Sequence, residues 1–184
     1  MTNKLIPDLA MAEAFLSRLA PEGEITFQTL DDDKNRKNHG LAKVFHGTLA
    51  QFSTDLSKLQ TSGAGVFVMV NRGDGTTHDG NKTCRTKANV KEIRALFADL
   101  DGAPLEPVLD TLQPDIVVES SQARFHAYWL TRDCPLGEFS QLQKQIAEKF
   151  GSDPSVNDLP RVMRLPGFWH LKNEPFMTRI IFPE

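Results

Sequence analysis

Apolar positions along the chain follow two rhythms, a helical one of three to four residues and a strand one of two. Residues 7–19, PDLAMAEAFLSRL, set Leu9, Ala12, Phe15, Leu16 and Leu19 on one helical stripe, and Pro7 suits a first turn. Glu24 to Leu30 alternates Ile25 and Phe27 with polar neighbours and predicts a short strand. The stretch DDDKNRKNHG that follows is charged and polar throughout, which predicts a solvated loop or hairpin tip. From Thr48 to Gln60, Leu49, Phe52, Leu56 and Leu59 repeat the helical stripe until TSGAG breaks it. VFVMVN, Val66 to Asn71, reads as a buried strand.

Residues 72–91 show no periodicity, and so long a loop in a compact domain points to function. After it come a strand, Arg94–Asp101, a short helix near Glu106–Leu112, and a strand, Asp115–Ser121. The strand Arg124–Leu130 follows at once, so a tight turn at Gln122–Ala123 closes a hairpin. Pro135 opens a helix to Phe150 with Leu136, Phe139, Leu142, Ile146 and Phe150 on one face and Gly151 as its stop. The segment Leu159–Pro183 mixes loop and strand character, and the chain has no internal repeat. This order predicts an α+β fold whose leading candidate is a palm or RNA-recognition-like antiparallel sheet packed by helices. We expect one domain over 1–184, with a mixed N-terminal lobe to about residue 65 and the sheet from about residue 66.

Composition narrows this picture more than it extends it. With 184 residues, 40% apolar and 24% charged, the chain can bury an ordinary core. A net charge of -3 weighs against coating nucleic acid by charge alone, though it permits a local basic groove. Cys84 and Cys134 are too far apart and too few for a zinc ribbon, and they suit free thiols in a reducing cytosol. No run reaches membrane-spanning length and MTNKLIPDLA lacks a signal core, so a cytoplasmic protein with no membrane partner is expected.

Three blocks carry chemistry. In FADLDG, strand alternation puts Asp99 and Asp101 on one face and Leu100 on the other. Two such carboxylates repel, and a hard divalent cation, Mg2+ or Mn2+, is their natural counter-charge. A strand-end turn would use the same residues, but the apolar run Ala95–Ala98 before them favours a core strand. In ESSQARFHAYWL, Arg124, His126 and Tyr128 share one face, while Phe125, Ala127 and Trp129 form the other, core-packing one. A cation beside an imidazole suits a triphosphate, and Ser120 and Ser121 can add hydroxyl donors. DLPRVMRLPGFWHLK sets Asp158 before Arg161, Arg164, His170 and Lys172. That fits a third metal ligand beside a phosphate-binding loop, although ion pairs from Asp158 to the arginines would explain it too. Asp153 and Glu119 are competing acids.

Taken together, FADLDG, SSQARFHAYW and DLPRVMRLPGFWHLK resemble the RepB-like primases of plasmids and other mobile elements, within the archaeo-eukaryotic primase (primase-polymerase) superfamily. The similarity is clearest from about Val66 to Phe176. It implies a primase-type catalytic core in which Asp99 and Asp101 bind two divalent ions, Mg2+ or Mn2+. It further implies that His126 contacts the phosphates of the incoming nucleotide, and Asp158 is the choice for third acid. Arg124, Arg161, Arg164 and Lys172 then grip the triphosphate. The second motif here reads S-S-Q-A-R-F-H, without a serine next to the histidine, so Ser120 or Ser121 can stand in only if the turn folds back. The implied activity is primer synthesis on single-stranded DNA from NTPs or dNTPs, in a plasmid, phage or other mobile element. A replicative helicase or C-terminal helical module is a further implied partner. Arg72, Lys82, Arg85 and Lys87 of the long loop are template-binding candidates, with Trp169 as a stacking partner.

Two rivals were weighed. A rolling-circle initiator or relaxase needs paired histidines on a strand and a tyrosine nucleophile. The sequence has no His-x-His, and its one tyrosine, Tyr128, lies within the candidate strand. A catalytically inactive single-stranded-DNA-binding initiator module with the same fold is the remaining alternative, and the acids argue against it.

Overall fold

The computed structural model describes residues 5–183. The first half runs α1 (Leu9–Leu19), β1 (Ile25–Asp31), β2 (Lys43–Gly47), α2 (Leu49–Thr61), β3 (Ala64–Met69) and β4 (Arg72–Gly73). The middle holds β5 (Val90–Glu92), β6 (Ala95–Leu100), α3 (Glu106–Thr111), β7 (Ile116–Ser121) and β8 (Arg124–Leu130). The last part holds α4 (Phe139–Phe150), β9 (Val162–Arg164), β10 (Trp169–His170), β11 (Phe176–Met177) and β12 (Arg179–Phe182).

The helices begin and end where local chemistry satisfies their free backbone groups. Asp8 accepts the Met11 N–H at 3.0 Å at the start of α1, and Thr48 and Gln51 form a capping box on α2. Gly151 closes α4 in the left-handed region, φ 64°. Helix α4 starts at Phe139 rather than Pro135, because Pro135–Glu138 forms a turn in which Glu138 N–H donates to the Pro135 carbonyl.

Two four-stranded antiparallel sheets, ordered β2-β1-β3-β9 and β12-β7-β8-β6, contribute to one apolar core. The first sheet draws on both sides of residue 65, since β9 comes from the RVMR block and pairs with β3 from Phe67↔Arg164 to Met69↔Val162. The fold is thus α+β with antiparallel sheets, as the element order predicted. One continuous apolar core includes Phe15, Ile25, Phe27, Leu56, Val68, Phe97, Val118, Tyr128 and Phe139. A smaller cluster on the other side of β6 and β8 joins Ala98, Leu100, Ala127 and Trp129 to Phe150, whose ring stacks on the indole at 5.8 Å.

Burial on both faces corrects one expectation. Tyr128 belongs to the core, edge-on to Phe15 at 5.5 Å, rather than to an open functional face. Alternation assigns faces but cannot tell a solvated face from a covered one. Two loops also differ in part from expectation. Residues 72–91 are organised: β4 pairs with β5, and Asp74 accepts from Asn89 Nδ2 at 2.6 Å and Thr76 N–H at 3.0 Å. The DDDK stretch joins β1 to β2 as an exposed hairpin connection, as expected, but its Asp32 is 1% exposed. No helix among the described residues is long and apolar enough to cross a membrane.

Candidate active site

Strand β6 lies at the edge of its sheet, with β8 as its one strand partner. Its free edge is covered by α4 and the segment after it. Gln143 accepts from Phe97 N–H at 2.9 Å and donates to the Phe97 carbonyl at 3.0 Å and the Val156 carbonyl at 3.1 Å. Two residues on, Asp153 N–H donates to the Asp99 carbonyl at 3.2 Å. A side chain and a loop thus complete the backbone hydrogen bonding that a further strand would otherwise supply.

Across the sheet, Asp99 pairs with His126, which in turn pairs with Val118 of β7. The chain turns at Gly102, φ 98°, just beyond Asp101. Asp101 forms an ion pair with Arg124. The hairpin between β7 and β8 does fold back: Ser121 is opposite Arg124 with a bulge after Glu119, and Ala123 takes a left-handed φ of 56°. Ala123 N–H donates to Glu119 at 3.0 Å, and Glu119 also accepts from Arg179 at 2.9 and 2.7 Å. That engages one of the competing acids elsewhere.

These groups open into a cavity of about 510 Å³. Of the residues expected at a site, Asp99, Asp101, Ser120, Ser121, Arg124, His126, Arg164 and Lys172 all line it. Asp158 and Arg161 do not; they pair with each other in their own turn, Arg161 Nε to Asp158 Oδ1 at 2.6 Å. Asp153 does not line it either, but its backbone N–H meets the Asp99 carbonyl and its charge bears on Asp99. Among the template candidates, Arg85 donates internally to Gln28 at 2.9 Å and to the Pro160 carbonyl at 3.0 Å. Arg72 pairs with Glu92 at 3.3 Å, and the Trp169 indole N–H donates to the Ile6 carbonyl at 3.0 Å. Lys82 and Lys87 are exposed.

Burial sets the protonation of the site. It pushes the Asp99 carboxyl above the usual range, reinforced by the negative charge of Asp153, while Arg161, Arg124 and Lys172 oppose the rise. Burial also holds His126 down to about 3, helped by Arg164 and His170, so its ring is neutral near pH 7. Nδ1 lies 3.4 Å from the Tyr128 hydroxyl and Nε2 lies 3.7 Å from Asp99 Oδ1. An ionised carboxylate only accepts, so the arrangement favours the proton on Nε2 and a hydrogen bond from Tyr128 to Nδ1. His170 is lowered to about 4 by burial and Arg164, and its buried Nε2 has no hydrogen-bond partner among the described residues. Lys172 is lowered by burial, Arg164 and Lys34.

The oxygen donors at Asp99 and Asp101 suit a hard divalent ion in type. Among the described residues, however, no three His, Cys, Asp or Glu side chains converge as a finished metal site.

Residues 76–178 match the RepB DNA-primase N-terminal domain family, more than half of the chain. The chain belongs to that family. The fold agrees. The archaeo-eukaryotic primase domain of the cyanophage S-2L primase-polymerase aligns with a TM-score of 0.76 at 18% identity, over 97% of this chain and 91% of that one. Primase RepB′ aligns at 0.67 and 17%, over 96% of this chain and 56% of that chain. The catalytic domain of RepB′ in complex with initiator DNA aligns at 0.65 and 16%, over 93% and 84%. No curated protein matches.

The family match begins after the DDDK loop, which still reaches the cavity of this RepB-type domain. Asp33, Lys34 and Asn35 line it together with Phe67, His170 and Asn173. Nothing in the periodicity marks the loop residues, because the bonds from Asp32 to Arg164 and Leu171 are what tie their loop to the final block.

Proposed function

We propose that this domain is a primase or primase-polymerase that joins nucleoside triphosphates on a single-stranded DNA template, in replication of a plasmid, phage or other mobile element. The observation that carries the reading is a single cavity uniting the paired acids Asp99 and Asp101 with His126, the hairpin serines and the cations Arg124 and Lys172. Acids and cations lining one cavity match a nucleoside triphosphate held against a metal-dependent centre.

In this reading a neutral His126 donates from Nε2 to a phosphate oxygen, with Tyr128 fixing its tautomer. Ser120 and Ser121 add hydroxyl donors, and Lys172 and Arg124 neutralise the phosphate chain. Arg124 must then exchange Asp101 for the triphosphate. Asp99 and Asp101 would hold Mg2+ or Mn2+, which supplies activation of the attacking 3′-hydroxyl and stabilisation of the leaving pyrophosphate. For the third acid, proximity to Asp99 supports Asp153 over Asp158. The RepB′ catalytic domain with initiator DNA supports DNA as the template. Lys82 and Lys87 are the exposed cations available to it, and a replicative helicase or helical module is the proposed partner.

The test is primer synthesis from labelled nucleotides on single-stranded templates with Mg2+ or Mn2+, beside an Asp99→Ala, Asp101→Ala double variant. Synthesis by the native chain alone supports the proposal. A native chain that neither makes nor extends primers, yet binds single strands without metal, is the inactive initiator module instead.

A further inference from the structure

We propose that Lys34, on the loop between β1 and β2, is a further triphosphate-gripping residue that lines the same cavity as Lys172. The proposal rests on the nucleotide-binding reading above and adds a contribution from the N-terminal half, outside the family match.

Both lysines line the cavity, and neither has an ion-pair partner among the described residues. Lys34 is close enough to weaken the charged form of Lys172. Of the acids nearby, Asp101 is matched by Arg124 and Asp32 by Arg164. Asp33 accepts from the backbone of its own turn, which leaves Asp99 as the open carboxylate at the proposed metal end. Two unmatched ammonium groups converging on one polar space are most stable with a polyanion between them.

The loop is built to hold Lys34 in place. Asp31 accepts from Arg36 at 3.0 and 2.7 Å and from Asn38 N–H at 2.6 Å. Asp33 accepts from Asn35 N–H at 2.9 Å, bracing the turn that carries Lys34. Asp32 binds Arg164 and also accepts from Leu171 N–H at 2.9 Å. One buried carboxylate therefore fixes the segment two residues before Lys34 and the segment one residue before Lys172. A backbone braced in this way loses little freedom when an anion arrives, so only the lysine side chain remains to be ordered. A lysine serving only as a template contact would have no need of an anchor shared with Lys172.

The test measures binding of inorganic triphosphate and of a deoxynucleoside triphosphate in magnesium buffer to the native chain, Lys34→Ala, Lys34→Arg and Lys172→Ala. A single-stranded oligonucleotide without nucleotide is the control ligand. We expect Lys34→Ala to weaken both triphosphates by roughly tenfold. Lys34→Arg should restore most of this, with oligonucleotide binding and melting temperature unchanged. Native triphosphate affinity in Lys34→Ala overturns this proposal and leaves the primase reading intact. A loss confined to the oligonucleotide overturns it too, making Lys34 a template contact. If the native chain binds no triphosphate, the primase reading falls and takes this proposal with it.

Discussion

Asp32 and Arg164, 132 positions apart, meet as a buried two-point ion pair, with Nη1 and Nη2 at 3.0 and 2.8 Å from the two carboxylate oxygens. The guanidinium also lies over the Phe67 ring, 4.7 Å from its centroid. Gly65 makes room for the pair, since a Cβ there would stand 2.5 Å from Asp32 Oδ1. Arg164 lines the cavity, but its charge is already matched, so its part is to hold the wall that positions Lys172.

Removing one member leaves the other charged and buried. Asp32→Ala is expected to destabilise by about 3–5 kcal/mol, read from denaturant unfolding. Pairing it with Arg164→Met should recover part of the loss, and full additivity of the two would count against the coupling.

The two candidate third acids separate cleanly. Asp153→Asn should lower primer synthesis by about two orders of magnitude or more, because metal charge stabilisation is worth several kcal/mol. Asp158→Asn should leave synthesis close to native and merely free Arg161. The opposite ranking would return the third-ligand role to Asp158.

Gln143 stands in for a missing neighbour strand beside Asp99. Gln143→Leu keeps the volume but strands the Phe97 N–H and two carbonyls, so a loss of about 1–3 kcal/mol is expected. Hydrogen exchange should report the new opening at the Phe97 N–H; unchanged protection there would show that Gln143 is not what shields this edge.

Acidification should unfold the metal-free domain early. His126 and His170 have folded values of about 3 and about 4, below the ordinary 6.5. The unfolded chain therefore takes up protons first, so their contribution is complete above pH 6.5 and is lost as the pH falls. Each histidine contributes a slope of up to about 1.4 kcal/mol per pH unit. The raised Asp99 works in the opposite sense. Melting temperature against pH checks this, and His170→Asn should flatten the curve.

How much of this was legible in the sequence depends on the range of the interaction. Hairpin β7–β8, helix α4 and the shared face of Asp99 and Asp101 are local patterns, and periodicity with a turn signal suffices to predict them. The DDDK loop looks solvated because a buried acid and an exposed one read alike when the partner is 132 residues away. Asp158 stood out because it adjoins the arginines, yet that adjacency is why Arg161 engages it. Asp153 is brought to Asp99 by a backbone contact at a sheet edge, which leaves no mark in side-chain spacing.

The pairing of β9 with β3 also bears on how the chain matures during translation. β3 emerges early and waits with an open edge until residues 162–164 leave the ribosome. Until then Asp32 has no guanidinium to justify its burial, so solvation opposes early closure of the first sheet. Such high contact order slows folding and prolongs exposure of an unpaired strand. The first sheet therefore closes only after most of the domain has been synthesised.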